Sequence, residues 1–485
     1  MNNDLTTEQK DYAVFLPSIS GFYATFIGKQ RYGEYVDPNR VPAGLNTVEG
    51  LNFLNPKDGA FQYKWALYSA GHADLDINKH VEKEDMIRKR DRNTSWLLGD
   101  SGGFQIAKGL WEGDWKNPNC PKAQKKRELV VNWMEEYMDY GMMLDIPTWT
   151  FQDPKAAKAS GIYSYQDAVD ATHINADYYM KNRRGNFKVL NVLQGTNHKD
   201  ADSWYEEFKD YCDPTKYPDT HFNGWAMGGQ NMCDVHLILH RLVNQIHDGL
   251  LEQGLHDVMH FLGTSKLEWA VLLTDIQRAV RKHHNPNFMI TYDCASPFLA
   301  TANGQVYHTI RIEDRGKWSY MMGPSADDKK YSADTRLFSN GVVNDEVFEA
   351  FEDSPISKHC TMKDICIYKP GDLNKVGKEG KTSWDSFSYA LQMGHNVWMH
   401  IESTQRANRE YDNGKYPYML IDERFNRVEF KQVVEEIFSL KDRQKSLKLI
   451  QDYSNFWMQV IGTRLNVGKK TVNASTKFSE LFEEK

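Results

Sequence analysis

The stretch WLLGDSGGFQ, residues 96–105, joins a short apolar run to an aspartate, a serine and two glycines. A short apolar run bounded by polar and glycine residues is typical of a buried β-strand. Asp100 stands where this strand is expected to end, and Gly102 and Gly103 follow in the loop. Because glycine has no side chain, we expect another group to approach the backbone closely at this loop.

Seven further runs of the same kind occur in the first 300 residues, and most precede a segment with helical periodicity. After the seventh run, Ser265 and Glu268 have the spacing of a capping box and predict a helix through Val280. Eight strands interleaved with helices predict an α/β fold, a (β/α)8 or TIM barrel, rather than an open sheet. The eight runs are YAVFLPS (12–18), KWALYSAG (64–71), TSWLLGDSGG (94–103), GMMLDIP (141–147), FKVLNVLQG (187–195), FNGWAMGG (222–229), VMHFLGTS (258–265) and FMITYDCASP (288–297).

Polar residues and glycines recur at the C-terminal ends of these runs. Any one of them could simply cap or turn its own strand. In a barrel, however, these ends meet on one face, where catalytic groups are found, so their repetition favours a common site. The residues are Asp100, Asp145, Gln194, Gly228, Gly229, Gly263 and Asp293.

Two carboxylates on one face, Asp100 and Asp293, have the composition that glycosidic chemistry uses. One carboxylate can attack an anomeric carbon while the other manages the proton of the leaving group. This pattern alone is weak, because aspartate is common at strand ends.

The other polar positions are suited to reading a planar heterocycle. Gln194 offers an amide donor and acceptor, Asp145 offers acceptors, and the glycine pair exposes backbone N–H groups. Phe104 and Leu262 could cover the two faces of such a ring. The alternative is a set of ordinary turns whose Asp and Gln side chains cap the backbone.

The remaining chain divides into an insertion at 301–357, within the irregular stretch 301–360, and a helical C-terminal region at 358–485. Helices are predicted over 383–404 and 424–463, the second with apolar residues spaced for one buried face. Those apolar residues are Val433, Ile437, Leu440, Leu447 and Ile450.

Composition bounds the class of protein. The 485 residues carry a formal net charge of −7 at pH 7, which excludes a uniformly basic nucleic-acid coat but not a local basic groove. No apolar run approaches the ~18 residues of a membrane span, and no secretory signal is visible. Six cysteines without a dense framework indicate a reducing compartment, so we expect a cytoplasmic protein. Cationic runs that could hold phosphates are Arg88, Lys89 and Arg90; Lys125, Lys126 and Arg127; and Arg278, Arg281 and Lys282.

Seven motifs, in order and spacing, resemble those of the tRNA-guanine transglycosylase (TGT) superfamily. They are VFLPSIS, LLGDSGGFQ, MLDIP, VLQG, AMGG, LGTS and YDCASP. The resemblance implies a TIM-barrel pentosyltransferase that exchanges guanine for a 7-deazaguanine base without cleaving the nucleic-acid backbone. It also implies that Asp293 is the nucleophile, that Asp100 is the acid/base residue, and that Ser101, Phe104, Asp145, Gln194, Gly228, Gly229 and Leu262 form the base pocket.

The same resemblance implies a structural zinc ion held by Cys360, Cys366 and His395. The spacing C-x5-C is by itself a weak metal signature. The family has three closely spaced cysteines where this chain has two, so the fourth ligand is left open between His359, Asp364 and His400.

Two departures favour DNA over tRNA as the substrate. The tRNA enzymes place arginines after the nucleophile, whereas residues 295–304 read ASPFLATANG, and the large insertion is foreign to the bacterial tRNA enzymes. Both features favour the DNA-acting, DpdA-like branch of bacteria and phages. That branch inserts a preQ0-like 7-deazaguanine into DNA, in restriction protection, at a flipped or single-stranded guanine nucleotide, with helper proteins that open the duplex as possible partners. A tRNA enzyme of queuosine or archaeosine type and a non-catalytic nucleic-acid-binding subunit are the alternatives.

Overall fold

The computed structural model describes residues 3–30, 38–79, 81–367, 382–424 and 427–465. Eight parallel strands form one sheet in the order β1-β8-β7-β6-β5-β4-β3-β2. The edge strands β1 and β2 meet through a bridge between Ser18 and Leu67, so the barrel is nearly closed and the eight predicted strands are confirmed. The strands are β1 (Val14–Pro17), β2 (Trp65–Ser69), β3 (Trp96–Asp100), β4 (Tyr140–Met142), β5 (Lys188–Leu193), β6 (Gly224–Met227), β7 (Val258–Phe261) and β8 (Met289–Cys294).

Helices follow the strands and form the outer layer. Those of the barrel region are α1 (Gly21–Gln30), α2 (Asp85–Arg88), α3 (Gly103–Ala107), α4 (Pro121–Tyr137), α5 (Pro154–Ser160), α6 (Tyr165–Asn182), α7 (His198–Phe208), α8 (Val235–His247), α9 (Leu267–His283) and α10 (Ser296–Ala302). The predicted capping box at the start of α9 is wrong. The helix begins after Lys266, and the Glu268 carboxylate instead accepts the Trp318 backbone N–H at 3.2 Å.

The insertion has more regular structure than its sequence indicates. An antiparallel hairpin of β9 (Gln305–Arg311) and β10 (Ser319–Pro324) opens it, α11 (Phe338–Asn344) follows, and α12 (Met362–Ile365) lies at the start of the C-terminal region. Because the hairpin packs against the long helix Ser386–Asp412, most of its polar side chains are only partly exposed.

The C-terminal region is helical, as predicted, but its second segment is broken. The helices are α13 (Ser386–Asp412), α14 (Phe430–Ser439), α15 (Arg443–Asp452) and α16 (Ser454–Leu465), and the two-residue strands β11 (Ile421–Asp422) and β12 (Val428–Glu429) precede α14. Asp442 caps α15 by accepting the Lys445 N–H at 3.0 Å, which starts a new helix inside the predicted one. Val433, Ile437 and Ile450 are buried as expected, whereas Leu440 and Leu447 are half-buried because the break turns them away from the core.

Helix α13 binds the C-terminal region to the barrel. Its Gln405 side chain donates to the Leu5 carbonyl at 2.6 Å, and its Tyr411 hydroxyl donates to Asp275 of α9 at 2.7 Å. Across the described part of the chain, every helix is too short or too polar to cross a lipid bilayer.

Candidate active site at the C-terminal end of the barrel

A cavity of about 740 Å³ opens where the C-terminal ends of the barrel strands meet. Eight of the nine residues expected at the catalytic and base-binding positions line it: Asp100, Phe104, Asp145, Gln194, Gly228, Gly229, Leu262 and Asp293. Ser101 is the ninth, and it is buried without lining the cavity. The parallel register therefore gathers residues that are up to 193 positions apart in sequence.

Asp100 ends β3 directly beside Ser69, its register partner at the end of β2. The Ser69 hydroxyl donates to Asp100 Oδ2 at 2.6 Å. Burial raises the pKa of the Asp100 carboxyl, and the negative charge of Asp293 raises it further. The surroundings of Asp100 therefore favour its protonated form.

Asp293, on β8, is held by two donors from β7 and the loop after it. The Gly263 backbone N–H lies 3.0 Å from Asp293 Oδ1, and His260 Nε2 lies 3.2 Å from the same oxygen. The other ring nitrogen of His260, Nδ1, lies 2.9 Å from the Thr291 hydroxyl. When Nε2 carries the proton, Nδ1 accepts from Thr291, and the imidazole orients the carboxylate without contacting solvent. The Asp293 side chain remains 13% exposed, on the cavity side of the barrel.

Asp145 and Gln194 form a buried polar pair. Gln194 Nε2 donates to Asp145 Oδ2 at 2.7 Å, and burial raises the pKa of Asp145 to about 7. The Gln194 Oε1 atom has no hydrogen-bond partner among the described residues. A side chain at Gly228 would come within 2.8 Å of Gln194 Nε2, so only glycine leaves the amide in place. The pair thus presents acceptors to a ligand that carries N–H donors, and one of them, Gln194 Oε1, is unsatisfied.

Gly102 and Gly103 of WLLGDSGGFQ allow the close approach to the backbone that the sequence predicts. A Cβ atom at Gly103 would lie 2.8 Å from the Asp145 carbonyl oxygen, and one at Gly102 would overlap the Trp111 ring. Gly102 also has a positive φ of 83°, which favours glycine. The groups that approach this backbone are parts of the protein, and they fix the loop.

Several residues of the site carry no sequence motif. Ser69 and His260 each sit in or at the end of an apolar strand, where a lone polar residue is normally explained by packing. Their roles depend on cross-strand register, since Ser69 pairs with Asp100 and His260 pairs with Thr291. Lys108 and Leu110, at the rim of the cavity, were also not predicted as site residues.

The cationic runs considered for phosphate binding are mostly committed to internal contacts. Arg90 pairs with Asp139 at 2.7 Å while its side chain is almost fully buried. Arg88 binds Glu84, Lys89 binds Asp85, Arg127 binds Asn175, Lys125 binds Glu128, Arg278 binds Asp412, Arg281 binds the Phe288 carbonyl and Lys282 binds Glu435. Lys126 lies over the Trp111 ring at 5.0 Å, and Trp111 directly follows the cavity-lining Leu110.

The histidine expected to bind zinc uses both ring nitrogens within the protein. His395 Nε2 donates to the Tyr307 carbonyl at 2.7 Å, and Nδ1 lies 3.0 Å from the Ser354 hydroxyl. Burial lowers the pKa of His395 to about 4, so the ring is neutral and fully bonded. His400, a candidate for the fourth ligand, points Nε2 at Cys294 Sγ, 3.6 Å away.

The two expected zinc cysteines are also directed elsewhere. Cys360 Sγ lies 3.5 Å from the Ile356 carbonyl, and Cys366 Sγ lies 3.1 Å from the Ala326 carbonyl. Within the described residues, no three His, Cys, Asp or Glu side chains are grouped to hold a metal ion. Residues 368–381 lie outside the described part, and the expected triad does not come together in this structure.

The nearly closed parallel barrel with a cavity at its C-terminal end places this chain in the class of TIM-barrel-like α/β proteins. Neither the protein-family models nor the curated proteins contain a match to its sequence.

Proposed function

We propose that the protein is a base-exchange transglycosylase that replaces guanine in DNA with a 7-deazaguanine. The observation that carries this proposal is the pair of carboxyls on one cavity in unlike settings. Asp100 is half-buried and desolvation raises its pKa, whereas Asp293 is held by the Gly263 N–H and by His260. Unlike settings of this kind separate a proton carrier from a nucleophile.

The base-binding part of the proposal rests on Asp145 and Gln194. Guanine and 7-deazaguanine both present ring and exocyclic N–H donors on one edge. Gln194 Oε1, which has no partner among the described residues, and the Asp145 carboxyl are acceptors suited to that edge. Phe104 and Leu262 line the same cavity and would cover the ring.

In the first step, Asp293 attacks C1′ of the target deoxyribose, and the bond from C1′ to guanine N9 breaks. The electron pair of that bond moves onto the purine, and Asp100 supplies the proton that the departing base takes up. The sugar is then joined to Asp293 through an ester oxygen.

In the second step, a 7-deazaguanine occupies the vacated pocket, and its N9 attacks C1′ from the opposite face. The ester bond breaks, Asp293 recovers its carboxylate, and Asp100 accepts the proton from N9. Two displacements retain the configuration at C1′.

The choice of DNA rests on the segment that follows the nucleophile. Residues 296–302 form α10, which begins at the cavity and carries no arginine that could grip an anticodon loop. Because C1′ is inaccessible within a duplex, the target nucleotide must be flipped out or single-stranded.

Labelled guanine exchange tests this proposal. The protein is incubated with ³H-guanine and duplex DNA, the same strand single-stranded, or tRNA, and label in the polymer is counted with Asp293→Ala as the control. Label in DNA that depends on Asp293 is expected. Label in tRNA alone would show that the substrate is tRNA and not DNA. No label in any polymer would refute the proposed transglycosylase activity.

A further inference from the structure

Leu110 stands out at the rim of the cavity. Its side chain is 67% exposed, and it lines the cavity that holds Asp100 and Asp293. Seven large apolar side chains are exposed in the described part of the chain, and of these only Leu110 borders that cavity. Single exposed leucines are common, so position and support decide whether this one has a role.

The turn that presents Leu110 is fixed by its surroundings. The Leu110 N–H donates to the Gln105 carbonyl at 2.9 Å, and the Gly109 N–H donates to the Ile106 carbonyl at 3.0 Å. Gly109 has a φ of 70°, a conformation that favours glycine. Trp111, the next residue, is buried against Gly102. Leu110 is therefore an apolar tip on a rigid base, rather than a residue of a loose loop.

Two cationic side chains pack on aromatic rings close to this tip in sequence. The Lys108 ammonium lies 5.4 Å from the Phe104 ring centroid at the cavity wall, and the Lys126 ammonium lies 5.0 Å from the Trp111 ring. Positive charge close to an exposed apolar residue is complementary to a base stack bordered by phosphates.

A flipped nucleotide leaves a gap in the duplex, and unstacking costs a few kcal/mol unless another group fills that gap. Proteins that deform duplex DNA insert apolar side chains between base steps for this purpose. We propose that Leu110 is the wedge that enters duplex DNA beside the flipped guanine, with Lys108 and Lys126 facing the adjacent phosphates. This inference rests on the proposed function and narrows its substrate to duplex DNA.

The test compares Leu110→Ala with wild type on one sequence in two forms, a fully paired duplex and the isolated strand. We expect kcat/KM for labelled guanine exchange to fall about tenfold on the duplex, because stacking of one side chain on a base is lost. On the single strand the change should stay below about twofold, since no gap has to be filled. Leu110→Phe should retain duplex activity.

Met458→Ala is the matched control, because Met458 is 61% exposed on α16 and does not border the cavity. A second readout is the fluorescence of 2-aminopurine placed beside the target guanine and opposite thymine, which should rise on binding to wild type and rise less with Leu110→Ala. Equal losses of kcat/KM on both DNA forms, or no loss on the duplex, would refute the role of Leu110 as a wedge. Wild-type exchange confined to single strands would overturn it while leaving the transglycosylase proposal intact, and absence of exchange on all DNA would remove both.

Discussion

The cavity and the contact between α13 and the β9–β10 hairpin both bury polar side chains, but they satisfy them differently. In the cavity, Gln194 Oε1 has no partner among the described residues, and burial raises the pKa of Asp100. Under α13, the Asn396 amide oxygen accepts the Tyr307 N–H at 2.9 Å, and its nitrogen donates to the Thr301 hydroxyl at 2.9 Å. The Asn396 nitrogen also lies 3.3 Å from two backbone carbonyls.

This difference distinguishes the cavity, a binding site, from the contact between α13 and the β9–β10 hairpin, which is structural and is called the joint below. A buried polar group without a partner costs about 1–3 kcal/mol of stability, which a ligand can restore by bonding to it. A saturated amide stabilises the fold and offers nothing to a ligand. Substitutions in the cavity should therefore change activity more than stability, and substitutions in the joint should do the reverse.

The largest effect is expected for Asp293→Ala. Removal of the proposed nucleophile should lower base exchange by at least about 10³-fold. The melting temperature should stay within about 2 °C of wild type or rise, because one of two neighbouring carboxyls is removed. Calorimetry and exchange rates check both parts. A variant that retains exchange would refute the nucleophile assignment, and one that unfolds would refute the contrast between the two regions.

Asn396→Ala should show the opposite pattern. The change leaves the buried Tyr307 N–H unpaired and removes the donors to Thr301, so we expect a loss of about 3 kcal/mol in the free energy of unfolding. Urea denaturation measures that loss. The kcat of the folded fraction should stay near wild type. A variant that loses kcat without losing stability would contradict the structural role of Asn396.

Variants of His260 test whether the orientation of Asp293 affects kcat independently of substrate binding. His260 touches Asp293 rather than the cavity space, so His260→Ala should lower kcat about tenfold and leave KM nearly unchanged. His260→Gln, which keeps a donor near Asp293, should recover part of kcat. A change confined to KM, or equal losses in both variants, would show that His260 acts through packing instead.

The carboxyl of Asp275 is buried in the contact between α9 and α13, and its substitution should have an effect of intermediate size. Burial raises its pKa to about 7, although the Tyr411 hydroxyl donates to it at 2.7 Å. Its protonated form stabilises the fold at low pH, and that contribution is lost as pH rises through about 7. Asp275→Asn stays neutral, so its free energy of unfolding relative to wild type should be higher at pH 8 than at pH 5, by about 2–3 kcal/mol. An identical pH dependence in both proteins would contradict this.

Removal of metal ions should have the smallest effect. His395 is fully hydrogen-bonded, and the thiols of Cys360 and Cys366 face carbonyls. Dialysis against a chelator should therefore shift the melting temperature by less than about 1 °C. Stoichiometric zinc by mass spectrometry, together with a large shift, would place a ligand set at these residues after all.

Strand positions were predictable because each buried strand is a short apolar run with its own boundary signals. The convergence of Asp100, Asp145, Gln194 and Asp293 was predictable as well, because parallel strands of a barrel share one C-terminal end. No comparable rule connects Cys360, Cys366 and His395. They lie on a helix and in an irregular segment, and their mutual distance depends on tertiary packing that periodicity does not encode.

Other features escaped prediction because they depend on particular partners. The break before α15 follows from the Asp442 cap, which competes with an apolar period that continues past it. His260 gains its role only from Thr291 and Asp293 on the neighbouring strand. The two glycines after Asp100 fit the Trp111 ring and the Asp145 carbonyl, and the sequence does not show either neighbour.

The position of β1 has a consequence for the order in which the chain can fold. Val14 to Pro17 pair with Thr291 to Cys294, and Gln405 binds the carbonyl of Leu5 across 400 residues. During synthesis the first strand must therefore wait, unpaired along that edge, until almost the whole barrel has been made. Such distant contacts make folding slow, because the entropy of closing a long loop is lost before the contacts form. The first strand in the sequence is thus the last to gain its complete strand pairing.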